Sequence, residues 1–230
     1  MGLTMKVTFL SDTHKRHREL ELPGGNILVY AGDCMGAGFY KNELTSFIDW
    51  FAEQNYTHKV CIAGNHDRWC EGRDSETKEM FGEKGIIYLK DELVEIEGLK
   101  IYGTPYQPYF CNWAFNIKKF ETLKDIFKMI PEGLDILITH CPPFGILDKS
   151  HLPRLYYGYT GEESLGSVEL KEVLEELIIK PKICVFGHIH GDGGKIVEKD
   201  GVKYINASVC NEDYEPLNEI ITMEIEKGEE

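Results

Sequence analysis

Seven side chains in this sequence combine metal-binding chemistry with a common position: Asp12, His14, Asp33, Asn65, His140, His188 and His190. Each follows closely on a short apolar run: Val7-Thr8-Phe9-Leu10, Ile27-Leu28-Val29-Tyr30-Ala31, Val60-Cys61-Ile62-Ala63, Ile136-Leu137-Ile138 or Ile183-Cys184-Val185-Phe186. Runs of this length, rich in Val and Ile and closed by glycine or a polar turn residue, read as buried strands. Ligands in open α/β sheets gather at the carboxyl ends of strands. Five strands that end in Asp, Asn or His therefore predict one shared polar site. Imidazole, carboxylate and amide donors without thiolate suit Mn²⁺, Fe or Zn²⁺ better than Ca²⁺ or Cu⁺. With water in the open positions, the set fills the shells of two divalent ions, for which Mn²⁺ is the first choice.

Two cations ~3.5–4 Å apart repel unless an anion lies between them. Asp33, alone on its strand end, is the natural bridge. Asp12, His14 and His190 then complete one ion, and Asn65, His140 and His188 the other. Asp12 and His14 are two residues apart, as are His188 and His190, and in extended backbone each such pair points one way. Paired cations bind a phosphate ester's oxygens, lower the pKa of a shared water and stabilise the five-coordinate transition state. His66 is needed in neither shell and is free to give a proton to the leaving alkoxide. Asp67 is placed to hydrogen-bond the His66 ring and orient it. Any single Asp-x-His is a weak signal. Five of the eight histidines at expected strand ends is a strong one. His17, His58 and His151 lie outside the pattern, although Arg16 and His17 form a basic turn within reach of the site's rim.

The elements that must position these groups follow from periodicity. Helical spacing places Leu44, Phe47, Ile48 and Phe51 on one face over 43–51. A second helix is expected over 120–129, before Pro131, and a third over 168–179 with Leu170, Val173, Leu174, Leu177 and Ile178 on its buried side. Residues 68–84 read as a loop with a short helix. Strands are expected at 86–89, 93–96 and 100–102, with Gly98 turning a hairpin. Strands in series imply a second sheet or an antiparallel extension of the first. Three more strands, at 195–198, 202–205 and 220–225, precede a charged tail at 226–230. Residues 151–164 read as an exposed loop near the site. The aromatic, proline-broken stretch 104–115 has two readings: a flap over the core, or a substrate wall in which Tyr106 and Trp113 stack on a base or aryl group.

At 230 residues, 42% hydrophobic and 28% charged, the chain suits one globular domain over 1–230 with a core of its own. A net charge of −14 opposes tight binding to nucleic acid or to anionic membrane. The seven cysteines form no Cys-x-x-Cys pair, which favours a reducing compartment. Cys141, beside His140, is the one thiol placed to compete as a ligand, though packing is the stronger reading. No signal core or membrane-length apolar run is evident, so a cytoplasmic location is expected.

Asp12-x-His14, Gly32-Asp33, Gly64-Asn65-His66-Asp67, His140 and Gly187-His188-x-His190 run in the order of, and together resemble, the calcineurin-like metallophosphoesterase superfamily. Ser11 to His14, the 102–116 stretch, His140-x-Pro142-Pro143 and Tyr204 to Ser208 are similar to its metallophosphoesterase-domain-containing branch. Thr139 stands where the superfamily often has glycine, which leaves the His140 imidazole unaffected. The resemblance implies an α/β fold, a four-layer α/β/β/α sandwich with two mixed β-sheets flanked by helices. It also implies a di-metal site with the ligands above, His66 as the catalytic histidine, and phosphodiesterase activity. A small phosphodiester, with 2′,3′- or 3′,5′-cyclic nucleotides first, suits the aromatic stretch and the acidic charge. The alternatives are a phosphomonoesterase, a protein phosphatase, and a non-catalytic scaffold on the same fold. Keeping every ligand and His66 weighs against the scaffold.

Overall fold

All five apolar runs form strands, and they divide between two sheets. The computed structural model describes residues 4–151 and 163–226, so most of the loop expected at 151–164 and nearly all of the tail lie outside the described residues. In chain order the elements are β1 (Thr4–Leu10), β2 (Gly25–Ala31), α1 (Lys41–Glu53), β3 (Tyr56–Ile62), α2 (Asp74–Gly82), β4 (Ile87–Tyr88), β5 (Glu92–Ile96) and β6 (Leu99–Thr104). They continue with β7 (Gln107–Pro108), β8 (Asn116–Ile117), α3 (Phe120–Phe127), β9 (Ile136–Thr139), α4 (Val168–Glu176), β10 (Ile183–Phe186), β11 (Lys195–Lys199), β12 (Val202–Asn206) and β13 (Ile221–Glu226).

The first sheet has the order β13-β1-β2-β3-β4 and the second β11-β12-β10-β9-β6-β5. Both are mixed: β1 to β4 run parallel with antiparallel β13 on the edge, and β12-β10-β9-β6 run parallel between antiparallel β11 and β5. The strands after α2 thus serve two sheets. β4 extends the first, and the β5–β6 hairpin begins the second.

Strands that are apolar throughout still alternate, because each face has a different partner. Ile27, Val29 and Ala31 of β2 pack between the sheets against Ile136, Ile138, Ile183 and Val185. Leu28 and Tyr30 face the other way, onto Leu44, Phe47, Ile48 and Phe51 of α1 and Phe81 of α2. On the far side Leu137, Cys184 and Phe186 meet Leu123 and Phe127 of α3 and Leu170, Val173 and Leu174 of α4. Three buried clusters are the three interfaces of a four-layer α/β/β/α sandwich.

Two helix ends fall short of the expected limits. α4 begins on a Ser167 cap, whose Oγ accepts the Leu170 N–H, and stops where Leu177 turns extended. Ile178 is therefore 88% exposed instead of joining the buried side. α3 ends at Phe127 and leaves Met129 exposed. The 104–115 stretch is tied down by the short β7–β8 ladder, and it divides the two readings made of it. Ala114 and Phe115 are buried in the α1-side core with Tyr106 packed against it, whereas Trp113 faces the strand ends described next.

Candidate metal centre

The loops that leave β1, β2, β3, β9 and β10 at their carboxyl ends meet in one place. Backbone hydrogen bonds carry the β1–β2 pairing past the strands, with Asp12 N–H to Gly32 O at 2.9 Å, His14 N–H to Asp33 O at 3.1 Å and Lys15 N–H to Cys34 O at 3.0 Å. Asp12, His14, Asp33 and His188 all take left-handed backbone, with φ of 54°, 42°, 64° and 66°. The expectation of extended Asp12-x-His14 and His188-x-His190 pairs is thus corrected: a left-handed turn, and for His190 a 3-10 turn, aims each pair at the site. Such conformations cost about 1–3 kcal/mol each and cluster at functional sites.

Each carboxylate is divided between the fold and the site. Asp12 Oδ2 accepts the His188 N–H at 2.9 Å, while Oδ1 faces His190 Nε2 at 3.3 Å and His14 Nε2 at 3.7 Å. Asp33 Oδ1 accepts the His66 N–H at 2.7 Å. Its Oδ2 faces His140 Nε2 at 3.3 Å and His14 Nε2 at 3.9 Å, and so looks toward both ligand groups. Asn65 Oδ1 lies 2.8 Å from both His140 Nε2 and His188 Nδ1. The ligating atoms of Asp12, His14 and His190 lie within 4.8 Å of one another, as do those of Asp33, His140 and His188. The structure thus brings all seven candidate residues together, with Asn65 against His140 and His188, and a third grouping of ligand atoms joins His14, Asp33 and His66.

The donor chemistry fits divalent cations. His14, His140 and His190 direct Nδ1 at the carbonyls of Met35, Ala31 and Asn211, which can only accept, so these rings present Nε2 inward. His14 Nε2 and His190 Nε2 stand 3.1 Å apart, a separation that two lone pairs tolerate only with a proton or a cation between them. Burial lowers the affinity of His140 for a proton, but Asp33 outweighs it and holds the ring up to about 9. His190 is also raised: burial opposes protonation and the Asp12 hydrogen bond prevails. Burial, helped by the charge on His140, pushes His188 down to about 3, and burial lowers His14 too. Burial favours neutral carboxyls, yet the surrounding imidazoles hold Asp12 and Asp33 below the usual carboxylate range.

His66 presents its ring edge-on to His14, with centroids 4.6 Å apart, and a ring nitrogen lies within 4.8 Å of ligating atoms of His14 and Asp33. Its Nδ1 donates to Gly36 O at 2.5 Å, and the Trp113 indole stacks on it at 3.9 Å and 22°. Asp67 does not orient this ring, which corrects the role expected of it. Its carboxylate accepts the N–H groups of Asp33, Gly64 and Met35 and the Cys34 thiol, and so clamps the loop after β2 to the loop after β3. Burial and the neighbouring Asp33 charge raise it to about 6.

Of the residues expected at the rim, Trp113 is there and three others serve elsewhere. Tyr106, between β6 and β7, packs against the α1-side core and the α4-side core. Arg16 grips Glu19 and donates to Tyr214 O at 3.0 Å. It thereby holds a ring that sequence reasoning missed, Tyr214, which stands edge-on to His14 and His190 with centroids at 4.8 and 5.2 Å. An aromatic in a polar loop after a strand end was the available signal. Cys141 is buried in the α4-side core, and all seven cysteines are free.

His17 is buried between Phe47 and Trp50, with Ser46 Oγ at 3.3 Å from Nε2. Burial, with the nearby Arg18 charge, holds its pKa down to about 4. The unfolded chain then binds the extra proton below about pH 6.5, so this residue weakens the fold as pH falls from there toward 4. His17→Gln is expected to reduce the stability lost between pH 7 and pH 5 by about 1 kcal/mol, after allowance for screening. Urea unfolding of both proteins at the two pH values measures it, and equal losses contradict the assignment.

Gly187 lets the loop after β10 lie against the loop after β1. A Cβ there would be driven into the Asp12 carboxylate and the Ser11 hydroxyl. Gly187→Ala is expected to destabilise the chain by about 2 kcal/mol, lowering the thermal midpoint by about 4–8 °C. An unchanged midpoint would show that the approach is not needed.

A family model described as calcineurin-like phosphoesterase matches residues 5–192. The human metallophosphoesterase domain-containing protein 1 is 33% identical over 94% of this chain and 69% of its own length. A UPF0046 protein of Caenorhabditis elegans is 33% identical over 89% of this chain and 56% of its own. Among solved structures, a phosphopantetheinyl hydrolase from Mycobacterium tuberculosis shares the fold with a TM-score of 0.57 at 15% identity, covering 91% of this chain and 90% of that one. With its two ligand groups, Asp33 between them and a sequence match that spans all of these loops, the chain belongs to the calcineurin-like phosphoesterase family.

Proposed function

We propose that the chain hydrolyses small phosphodiesters, cyclic nucleotides first among them, at two divalent cations for which Mn²⁺ is the first choice. The observation that carries this reading is the placement of His66 beside His14 and Asp33, outside the two trios assigned to the ions. Bound cations supply Lewis acidity toward the phosphoryl oxygens and toward an attacking water. Everything else falls to the chain. Asp12, His14 and His190 would hold one ion and Asn65, His140 and His188 the other, with Asp33 Oδ2 facing imidazoles of both groups. The Nδ1–H bond to Gly36 O and the Trp113 stack restrain the His66 ring, so that the protonated imidazole gives its Nε2 proton to the departing oxygen and returns to the neutral Nδ1–H form. The His66 N–H fixes Asp33 from the same residue.

Charge favours a diester over a monoester. A chain of net charge −14 repels a dianion more than a monoanion. Free, mostly buried cysteines suit a cytoplasmic setting. Among the described residues no helix is long and apolar enough to cross a membrane.

The test compares bis-p-nitrophenyl phosphate with p-nitrophenyl phosphate, followed by 2′,3′- and 3′,5′-cyclic nucleotides, on the Mn²⁺-loaded chain. We expect kcat/KM for the diester to exceed that for the monoester by about tenfold or more, a difference of about 1.4 kcal/mol. Faster monoester turnover would make the chain a phosphomonoesterase. Turnover of neither above a chelator-treated control would make it a binding protein.

A further inference from the structure

On the far side of the Trp113 indole from His66 lies an open cavity of about 240 Å³, lined among others by Phe39, Arg68, Trp69, Arg73, Asn112 and Trp113. The Arg68 guanidinium sits 4.4 Å from the Trp113 ring centroid and 4.9 Å from that of Phe39. His66 lies 3.9 Å from the same Trp113 centroid in a stacked arrangement. Two groups this close to one centroid take its opposite faces, so Phe39, Arg68, Trp113 and His66 form one column that runs from the cavity to the metal centre.

The charges in this cavity are out of keeping with the rest of the molecule. Acidic residues number 39 against 25 basic ones, and ten lysines pair with carboxylates across the surface. Neither Arg68 nor Arg73 has a carboxylate partner among the described residues. Arg68 Nε is buried without a hydrogen-bond partner, and Arg73 gives one N–H to Trp69 O while its guanidinium lies over the Trp69 ring. The one carboxylate on the cavity wall, Glu71, accepts the Phe115 N–H. Two guanidinium groups held by aromatic faces with donors unspent form a fork for phosphate oxygens. The volume is below the ~300–1,000 Å³ of pockets that enclose a whole drug-sized ligand. It suits one end of a ligand whose other end lies at the cations.

Resting on the phosphodiesterase reading above, we infer that this cavity is a second subsite, which binds a terminal phosphate on the leaving-group side of the substrate. His66 protonates the leaving oxygen, so whatever lies beyond Trp113 belongs to the departing half. Among open-chain diesters, those that carry a second phosphate there are then preferred over those with none.

Two measurements test the subsite, one of them free of metal and turnover. In chelator, inorganic phosphate is titrated into the full-length chain and the fluorescence of Trp69 and Trp113 is followed. A saturable change is expected, weakened at least fivefold in Arg73→Gln, whose side chain is on the surface, and lost in Arg68→Gln/Arg73→Gln. The absence of a saturable change, or a change that survives in the double variant, overturns the subsite. With Mn²⁺, a thymidine dinucleotide is compared with the same molecule bearing a terminal phosphate on either end. The phosphate on the departing nucleoside is expected to raise kcat/KM at least tenfold, and the ratio is expected to fall toward one in Arg68→Gln. Equal rates for all three substrates overturn the subsite alone. If no diester is turned over, the phosphodiesterase reading fails, and the metal-free titration still decides whether the anion site exists.

Discussion

Asp33→Asn is expected to lower turnover by at least about 10³-fold, or about 4 kcal/mol of transition-state stabilisation, and to cut bound metal from two equivalents to one or fewer. The reason lies in how its two oxygens are used. Oδ1 is fixed by the His66 N–H, an interaction that asparagine can keep through its own carbonyl oxygen. Oδ2 faces imidazoles of both ligand groups, and it carries the charge that allows two cations to approach each other. The substitution therefore removes the shared anion while disturbing little of the fold. Neighbouring side chains do not replace it, since Asp12 faces its own group and Asp67 is occupied by three backbone N–H groups and a thiol. Metal analysis after dialysis, with diester turnover on the same samples, reads both effects. A variant that keeps two ions and near-normal rates would remove Asp33 from the bridging position.

The second large effect is at His66. His66→Ala is expected to reduce kcat by about 10²–10⁴-fold while leaving two metal ions bound, because its ring is not required in either ligand group. Its dependence on the leaving group separates proton donation from mere packing. p-Nitrophenolate departs without help, so the defect should be smallest for aryl esters and largest for alkyl esters, whose alkoxide needs the proton. A ring that only propped up Trp113 would give the same loss for every leaving group. Kinetics across a series of leaving groups distinguishes the two, and a flat dependence would deny His66 the role of acid.

The convergence of the candidate ligands was legible from the sequence because they stand at strand ends, where topology leaves little freedom. Five Val- and Ile-rich runs ending in Asp, Asn or His converge once they lie parallel in two facing sheets, and that convergence does not depend on side-chain detail. The local backbone was not legible. Asp12, His14, Asp33 and His188 adopt left-handed φ, and no periodicity reports this because tertiary hydrogen bonds impose it. Asp67 followed His66 directly, which suggested a pair. The carboxylate instead reaches the backbone of two separate loops, a partnership of 33 residues' separation for Cys34 that sequence proximity hides. His17 looked like part of a basic turn, yet the 3-10 turn at His17–Glu19 tucks its ring under α1. The aromatic stretch divided its roles residue by residue: Phe115 went to the core and Trp113 to the site, a distinction made in a turn where Phe115 takes left-handed φ, which no periodicity reports.

On the reading proposed above, distant segments build one site for two adjacent cations with Asp33 between them. The most direct measurement is an anomalous difference map from a crystal of this chain grown or soaked with Mn²⁺. Two peaks are expected about 3.5–4 Å apart, one beside Asp12, His14 and His190, the other beside Asn65, His140 and His188, with Asp33 Oδ2 reaching both. A single peak, or density remote from Asp33, would contradict the account.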